Sequence, residues 1–454
     1  MSLTRARLTV TQLEEAVGRG AIDTVVVAIT DMQGRLQGKR CDARFFLDEV
    51  IEHSTEGCSY LLAVDVDMNT VPGYDMSSWE TGYGDFVMKP DLATLRLIPW
   101  HAKTAFCQAD LFWEDGSPVE PSPRRILQRQ SARLSERGWT GLTGTELELI
   151  VFEDRFEDAW RKGYRDLVPA NTYNVDYSIL GTSRLEPLLG RIRREMSAAG
   201  MPVESVKGEC NLGQHEVAFR YGDLVLKADE HVLYKTGAKE IAAQEGCSLT
   251  FMAKYDAREG NSCHVHLSIR DSDGEPVFAG GEEYGMSAVF RHFLAGMIAT
   301  LPDFTLLLAP NVNSYKRFTE ASFAPTAVAW GRDNRTCAFR VVGRGPSLRV
   351  ECRVPGGDVN PYLALAAITA GGLHGVEKGL PLEPPFPGNA YTADLPRIPR
   401  TLREAAERFS SSDHAREALG DDVVDHYTNM ARVELAAFDS AVTDWERYRC
   451  FERF

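Results

Sequence analysis

The amino-acid sequence predicts a fold that mixes strands and helices, with a small β-rich N-terminal part and a larger part in which short strands alternate with helices. Three observations support this prediction. The β-branched, apolar run Thr24–Thr30 is followed by a turn-forming segment at 31–34, which is the pattern of a β-hairpin. The apolar run Thr145–Phe152 has the length of a buried strand, and the longer segment Leu226–Gln244 has the length of a helix.

The β-rich N-terminal part is predicted to span residues 1–116. It begins with an amphipathic helix in the first twenty residues and ends with a strand at 108–113, because a turn cluster follows at 114–117. Between them, residues 65–91 are rich in Gly, Asp, Pro and aromatic residues without a clear period. This segment is predicted to be a long loop, and loops of that length are often functional.

The second part is predicted to span residues 117–454 as one domain. Pro123 at the start of an apolar pattern indicates the first helix of this domain. Further elements follow in order, with predicted helices at 123–137, 185–199, 226–244, 360–373, 402–419 and 422–449, and predicted strands at 145–152, 263–269 and 348–354.

Composition narrows the function classes. The chain has 454 residues, 44% hydrophobic content and a formal net charge of -15, which disfavours a nucleic-acid partner. The negative charge mildly suits a cationic substrate, although a solvated acidic surface is the simpler explanation. Nine cysteines without Cys-x-x-Cys spacing fit reduced thiols in a cytoplasm. The N-terminus lacks the apolar segment of an export signal, and the longest apolar stretch, 293–310, is too short and broken for a membrane span. No membrane role is expected.

Two carboxylates, Glu146 and Glu148, lie two residues apart within the apolar run at 145–152. On a β-strand, alternate side chains share a face, so both carboxylates point the same way. The simple explanation of the two carboxylates is a strand at the protein surface with one polar face. The alternative is a site in which positive charge meets the pair, because unpaired charge in apolar surroundings is costly.

Other segments supply partners for such a site. His264 and His266 share one face of a predicted strand, and Glu209 and Glu216 flank a glycine-containing loop. Glu351 lies on the predicted strand 348–354, between two arginines. Each feature alone has an ordinary explanation, a satisfied polar pair or a salt-bridge ladder. Together, oxygen-rich ligands with an imidazole favour paired magnesium or manganese ions over zinc.

Arginines are the third type of residue in the predicted site, after the carboxylates and the histidines. Arg317 follows a Pro-Asn loop, and Arg335 and Arg340 precede the strand that carries Arg353. Guanidinium groups near two metals suggest phosphate or carboxylate substrates, which they bind in a bidentate manner. The sequence contains no Walker A motif, so ATP, if it binds, does so without a P-loop.

The order of these motifs resembles the type I glutamine synthetase superfamily over nearly the whole chain. The motifs are GTELE (144–148), GQHE (213–216), HVHLS (264–268), NSYKRF (313–318), NR and FR (334–340), RVECRVPG (349–356) and VMKPDLATLRLIPW (87–100). The resemblance implies an α+β fold with an N-terminal β-grasp domain and a catalytic domain on an antiparallel sheet with flanking helices. It also implies a homo-oligomeric dodecamer with active sites between subunits.

The resemblance also implies roles for individual residues. One metal would be held by Glu148, Glu209 and Glu216, and the other by Glu146, His264 and Glu351. His266 and Ser268 would lie at the ATP, Arg317 and Arg353 would bind the substrate L-glutamate, and Arg335 and Arg340 would act on the transferring phosphoryl group. Asn261 would be a further substrate contact, although the family's Asn-Gly-Ser-Gly loop is shortened here. Glutamate would be activated as γ-glutamyl phosphate before an amine attacks it.

The chain departs from the family at the flap, which is the segment at 318–325 that follows the NSYKR motif and closes the site in family members. Authentic glutamine synthetases have a glutamate six residues after the arginine of NSYKR, and this chain has Phe323 there. This resembles γ-glutamyl amine ligases, so we expect an organic amine, either a polyamine or an ethanolamine-like amine, as the acceptor. Authentic glutamine synthetase and a non-catalytic structural or sensory ring are the alternatives. Asp65, Asp67 and Glu320 are the open candidates for the base that deprotonates the amine.

Overall fold

Two β-sheets organise the chain, and the computed structural model describes them within residues 7–454. The N-terminal sheet contains six strands, β1 (Thr24–Thr30), β2 (Leu36–Asp42), β3 (Thr55–Cys58), β4 (Asp85–Pro90), β5 (Arg96–Leu97) and β6 (Thr104–Phe112). The second sheet contains nine strands, β7 (Thr140–Phe152), β8 (Val203–Gly208), β9 (Gln214–Phe219), β10 (Gly222–Asp223), β11 (Ser248–Thr250), β12 (Cys263–Arg270), β13 (Trp330–Arg332), β14 (Phe339–Val342) and β15 (Arg349–Cys352).

Helices flank both sheets. They are α1 (Val10–Gly18), α2 (Ala43–Phe45), α3 (Ile51–His53), α4 (Pro123–Ser135), α5 (Phe156–Arg161), α6 (Ile179–Ser183), α7 (Glu186–Ala198), α8 (Leu224–Gln244), α9 (Ala288–Leu308), α10 (Pro361–Lys378), α11 (Leu402–Ser410), α12 (Asp413–Leu419), α13 (Asp421–Ser440) and α14 (Asp444–Cys450). Among residues 7–454, none of these helices combines the length and hydropathy that a membrane crossing requires.

The long strand β7 is the centre of the second sheet. The strand order is β13-β14-β15-β12-β7-β9-β8, with β10 and β11 also pairing with β7, and every pairing except β13 with β14 is antiparallel. The N-terminal sheet has the order β2-β1-β6-β4-β3, with β5 on β6. The predicted mixture of strands and helices, with an antiparallel sheet in the larger part, is confirmed.

Three predicted elements differ from the structure. The predicted loop at 65–91 contains strand β4, which pairs with β3 and β6. The predicted helix 402–419 divides into α11 and α12 because the Ser412 side chain accepts a hydrogen bond from the Ala415 amide and caps a new helix. The predicted helix 422–449 likewise divides before α14, where Thr443 and Glu446 form a capping box.

One hydrophobic cluster runs through both parts of the chain. It includes Phe106 of the N-terminal sheet, Leu147 of the second sheet, and Leu365 of α10, all almost fully buried. The division at residue 116 therefore stays a prediction, because the main hydrophobic cluster spans both predicted parts. The cluster fixes the two sheets relative to each other by apolar burial.

Arg124 of α4 joins the N-terminal sheet to α8 by a buried charge network. Its guanidinium donates to Asp91 at 2.7 Å, to Asp110 at 2.6 Å and to Asp229 at 3.0 Å, and its side chain is 5% exposed. Asp229 is buried, and its hydroxyl partner Tyr362 donates to it at 2.6 Å. Desolvation raises the pKa of Asp229, and the guanidinium opposes that shift.

Replacing Arg124 by methionine is expected to destabilise the protein strongly. The substitution keeps an unbranched apolar side chain but leaves the buried Asp229 without its countercharge, which costs about 3–5 kcal/mol in comparable pairs. Chemical denaturation of the wild type and the variant measures the free energy of unfolding. Arg161→Met, which removes an exposed arginine, is the matched control and should change that free energy little. Equal losses in both variants would contradict the role given to the network.

Candidate active site

The first acidic cluster lies across the middle of the second sheet. The antiparallel register places Glu148 of β7 directly opposite Glu216 of β9, and Glu216 opposite Lys207 of β8. Glu209 follows β8, and one carboxylate oxygen each from Glu148, Glu209 and Glu216 lie within 4.8 Å of one another. The structure therefore brings together the three carboxylates that the family resemblance assigns to one metal, and their role as its ligands stays a prediction.

Local hydrogen bonds hold this cluster in place. The main-chain amide of Ser262 donates to Glu148 at 2.7 Å, and the Gln214 amide nitrogen donates to it at 3.1 Å. The ammonium group of Lys207 bonds Glu209 and lies 3.8 Å from Glu216. Desolvation and the neighbouring carboxylate of Glu146 raise the pKa of Glu216 to about 8.

The second cluster lies on β7, β12 and β15. The register pairs His264 with Glu146, and His266 with Glu351. Donor atoms of Glu146, His266 and Glu351 lie within 4.8 Å of one another. His264 is also present, since its Nδ1 lies 3.1 Å from Glu146 and 3.6 Å from Glu351. Both imidazoles thus reach the cluster, and the assignment of His264 rather than His266 as the metal ligand stays a prediction.

Hydrogen bonds to the two histidines control the charge of Glu146. Burial opposes ionisation of this carboxyl, but the bonds from His264 and His266 outweigh burial and hold its pKa well below the usual range. Desolvation also lowers the pKa of His264, which favours the neutral imidazole. Glu146 therefore enters the cluster as a carboxylate.

The residues present fit divalent cations. The Nδ1 atom of His264 lies 3.1 Å from Glu146 and 3.6 Å from Glu351, so this ring nitrogen faces the two carboxylates that would bind the same ion. Burial first, and then the neighbouring carboxylates, raise the pKa of Glu216, and a cation would offset the negative charge of those neighbours. A donor set of carboxylates with one imidazole suits magnesium or manganese.

Three predicted arginines lie beside these clusters. Arg340 donates to Glu351 at 2.8 Å, and Arg353 bonds the other oxygen of the same carboxylate. Arg317 is 1% exposed and donates to the Val354 carbonyl oxygen at 3.0 Å. The fourth predicted arginine, Arg335, is exposed on the turn between β13 and β14. The structure therefore gathers Arg317, Arg340 and Arg353 and leaves Arg335 at the surface.

A cavity of about 530 Å³ adjoins the second cluster. Glu146, His266 and Ser268 line it together with Arg349 and Phe219. The His266 ring bonds Glu146 through Nε2 at 3.0 Å and accepts from Arg349 at Nδ1, at 3.2 Å. The two residues that the resemblance places at ATP, His266 and Ser268, therefore share a cavity, and Glu146 forms part of its wall.

The predicted substrate contact Asn261 lies inside the protein. Asn261 is fully buried, and its amide donates to the carbonyl oxygens of Thr250 and Met252, while its oxygen accepts from Gln214. Both amide hydrogens are thus used within the protein, and the side chain supports the loop beside Glu148. The structure offers no free N–H of this amide for the predicted substrate contact.

Phe323 lies on the segment beside Arg353. Its carbonyl oxygen accepts from the Arg353 guanidinium at 3.3 Å, and its side chain is 56% exposed. Both Phe323 and Ala321 have positive φ angles, 57° and 59°, which side chains rarely adopt. The surrounding contacts must hold this segment in its strained shape.

The candidates for the amine base stay open. Asp65 accepts hydrogen bonds from the main chain and side chain of Asn69, at 2.8 and 3.0 Å. Asp67 and Glu320 are both exposed. None of the three belongs to the two carboxylate clusters found among residues 7–454.

Lys207 and Arg349 are polar site residues to which sequence reasoning gave no role. A signal existed for each, because Lys207 precedes Glu209 by two residues, and Arg349 precedes Glu351 by two. On a strand, that spacing places both members on one face. Gln214, which bonds both Glu148 and Asn261, gave the same signal, because it precedes Glu216 by two residues.

The fold and this double cluster identify an enzyme family. The family model described as "Glutamine synthetase, catalytic domain" matches residues 120–450, and the chain belongs to that family. The chain is thus a ligase of the glutamine synthetase type, as the motif order predicts.

Individual relatives extend the match beyond that domain. The γ-glutamylethanolamide synthetase GlnA4 of Streptomyces coelicolor is 66% identical over 98% of this chain and 96% of its own. The glutamate–isopropylamine ligase of a Pseudomonas species is 36% identical over 96% of this chain and 97% of its own. The solved GmaS/ADP complex in conformation 1 has a TM-score of 0.85 at 26% identity, covering 97% of this chain and 99% of that one. These comparisons confirm the predicted α+β fold of the glutamine synthetase type.

Glu216 is expected to release a proton when a divalent cation binds. With a pKa of about 8 it is largely protonated at pH 7, and a ligating carboxylate must lose that proton. Between pH 4.5 and 8 the metal-free folded state binds more protons here than the unfolded state, so this group's stability contribution falls as the pH rises. Magnesium affinity should rise with pH over the same window.

Titration calorimetry of magnesium binding at pH 7, in buffers of different ionisation enthalpy, measures the released protons. About one proton per chain is expected from this carboxyl, and Glu216→Gln should remove it. Glu204→Gln, at an exposed position on β8, is the control and should leave it unchanged. Equal proton release from wild type and Glu216→Gln would contradict the prediction.

Proposed function

We propose that this chain joins the γ-carboxylate of L-glutamate to a small organic amine, with ATP hydrolysed to ADP and phosphate. The observation that carries the proposal is the position of Glu146, which lines the 530 Å³ cavity and also belongs to the second carboxylate cluster. A triphosphate whose nucleoside end occupies the cavity would place its phosphates at that cluster.

The metal ligands proposed from the family are Glu148, Glu209 and Glu216 for one ion, and Glu146, His264 and Glu351 for the other. Magnesium or manganese bound there would offset the negative charge of the phosphates and the carboxylate. The ring proton of His266 lies on Nε2, because Nδ1 accepts a hydrogen bond from the Arg349 N–H. Nε2 donates this proton in a hydrogen bond to Glu146. This tautomer fixes the ring at the wall of the cavity.

The arginines would orient the two anionic reactants. Arg317 and Arg353 are buried, and the Nε atom of Arg353 has no hydrogen-bond partner, which leaves a donor for a carboxylate oxygen. Arg340 lies on the other oxygen of Glu351. We propose that Arg317 and Arg353 bind glutamate and that Arg340 acts at the transferring phosphoryl group. Arg335 would join it only after its turn closes on the substrate.

The proposed reaction has two steps. The glutamate γ-carboxylate oxygen attacks the terminal phosphorus of ATP, the bond to the ADP oxygen breaks, and γ-glutamyl phosphate forms. The amine nitrogen then attacks the activated carbonyl carbon, phosphate leaves, and one amine proton passes to a base.

The acceptor is proposed to be a primary amine with a short carbon chain, ethanolamine before others. Two relatives support this choice, since one is named for γ-glutamylethanolamide and another for isopropylamine. Phe323 also supports it, because an aromatic ring at the flap offers apolar surface to a carbon chain and no carboxylate for ammonium. Further proposals from the family are a dodecameric assembly and a cytoplasmic location. Nine unpaired thiols support the latter.

Phosphate release with glutamate, ATP and magnesium tests the acceptor. Ethanolamine should give the highest kcat/KM in a panel that includes isopropylamine, putrescine and ammonium, with the γ-glutamyl amide identified by mass spectrometry. Turnover with ammonium alone would refute the proposal and favour authentic glutamine synthetase. No turnover with any amine would favour a non-catalytic ring.

Phe323→Glu, assayed with the same panel of amines, tests how the side chain at position 323 affects the choice of amine. It should admit some ammonium activity and lower kcat/KM for ethanolamine, because a carboxylate replaces the apolar ring. Phe323→Leu is the matched control, since it keeps an apolar side chain and should not admit ammonium. Identical amine preference in all three proteins would contradict the role given to Phe323.

A further inference from the structure

A separate group of metal-ligand side chains lies away from the second sheet, where α10 and α12 meet. His374 lies on α10, and His414 and Glu417 lie on α12. One donor atom from each of the three residues lies within 4.8 Å of the others. No part of the ligase chemistry described above uses these residues.

The geometry of the group is that of a tridentate ligand set. His414 and Glu417 are three residues apart on one helix and so share a face. The His374 ring faces them from α10, and the two ring centroids are 4.3 Å apart at an angle of 60°. Within residues 7–454, neither imidazole forms a hydrogen bond to another protein group, so their nitrogens are free to bind a ligand.

The space between these side chains suits a single small ligand. A cavity of about 10 Å³ lies among His374, His414 and Glu417, with Thr300 and Phe304 of α9 on its wall. Such a volume accommodates about one water-sized species. An organic molecule would not fit, whereas a metal ion with one water would.

The charged neighbours are compatible with a cation. Glu377 also lines the cavity and is bound by Arg133 at 3.0 Å and by Arg137 at 2.7 Å, so its carboxylate offsets one of the two guanidinium charges and Glu417 is the carboxylate that faces the imidazoles. Lys378 lies 3.7 Å from Glu417 on the exposed side. This long, exposed contact is weak, and a divalent ion would displace the ammonium.

We propose that His374, His414 and Glu417 form a binding site for one zinc-class divalent ion, with water as the fourth ligand. Two imidazoles and one carboxylate suit zinc, nickel or cobalt, whereas the carboxylate-rich clusters of the sheet suit magnesium. The ion would link α12 to α10 and so stabilise the packing of the C-terminal helices on the catalytic core.

Equilibrium dialysis against zinc in saturating magnesium tests the proposal. Saturating magnesium competes with zinc at the carboxylate clusters, and any zinc bound there or at cysteines is common to every protein compared. The His374→Ala/His414→Ala double variant should bind one zinc fewer per chain than the wild type, with unchanged phosphate release in zinc-free magnesium buffer. His53→Ala, which removes an exposed histidine elsewhere, is the matched control and should bind as the wild type does.

Glu417→Gln provides a second variant that keeps the size and polarity of an exposed side chain. Its zinc affinity at this site should fall at least about tenfold, as loss of a metal-ligand contact requires. Crystals soaked in zinc should show anomalous scattering between the three side chains. Equal zinc content in all four proteins, or anomalous density at other sites but none between these three side chains, would overturn the proposal.

Discussion

The constraint on which the rest of the site depends is the direct opposition of two carboxylates at the centre of the sheet. Glu148 and Glu216 face each other on adjacent strands and are both about 7% exposed. Like charges in that position destabilise a sheet unless donors or cations meet them. The Ser262 amide, Gln214 and Lys207 supply part of the compensation, while burial and the nearby carboxylates still raise the pKa of Glu216, and a bound cation would oppose that shift.

Strand register places the cavity on one side of the second carboxylate cluster and the arginines on the other. The row that pairs His266 with Glu351, and Glu351 with Arg340, crosses from the cavity to the arginines within three adjacent strands. One carboxylate, Glu351, therefore connects the imidazole at the cavity wall with the guanidinium groups on the substrate side. Substitution there would affect both sides of the site at once. The acceptor side is built differently, from the strained segment around Phe323 rather than from the sheet.

Local sequence pattern predicted much of this arrangement but not all of it. Alternation along a strand is a local property, so the shared faces of Glu146 with Glu148 and of His264 with His266 could be predicted. Which residues lie opposite one another depends on pairing between strands that are distant in sequence. The contact of Arg349 with His266 therefore could not be predicted from local pattern. The break before α12 depends on the single cap Ser412, which an otherwise continuous helical pattern concealed.

The central claim is that the glutamate carboxylate itself is phosphorylated before the amine attacks. The most direct test uses glutamate labelled with heavy oxygen in its γ-carboxylate, with ATP, magnesium and ethanolamine, and measures the label in the released phosphate by mass spectrometry. One labelled oxygen is expected in each phosphate released, because the carboxylate oxygen that attacks phosphorus leaves with it. Amide formation with unlabelled phosphate would contradict it.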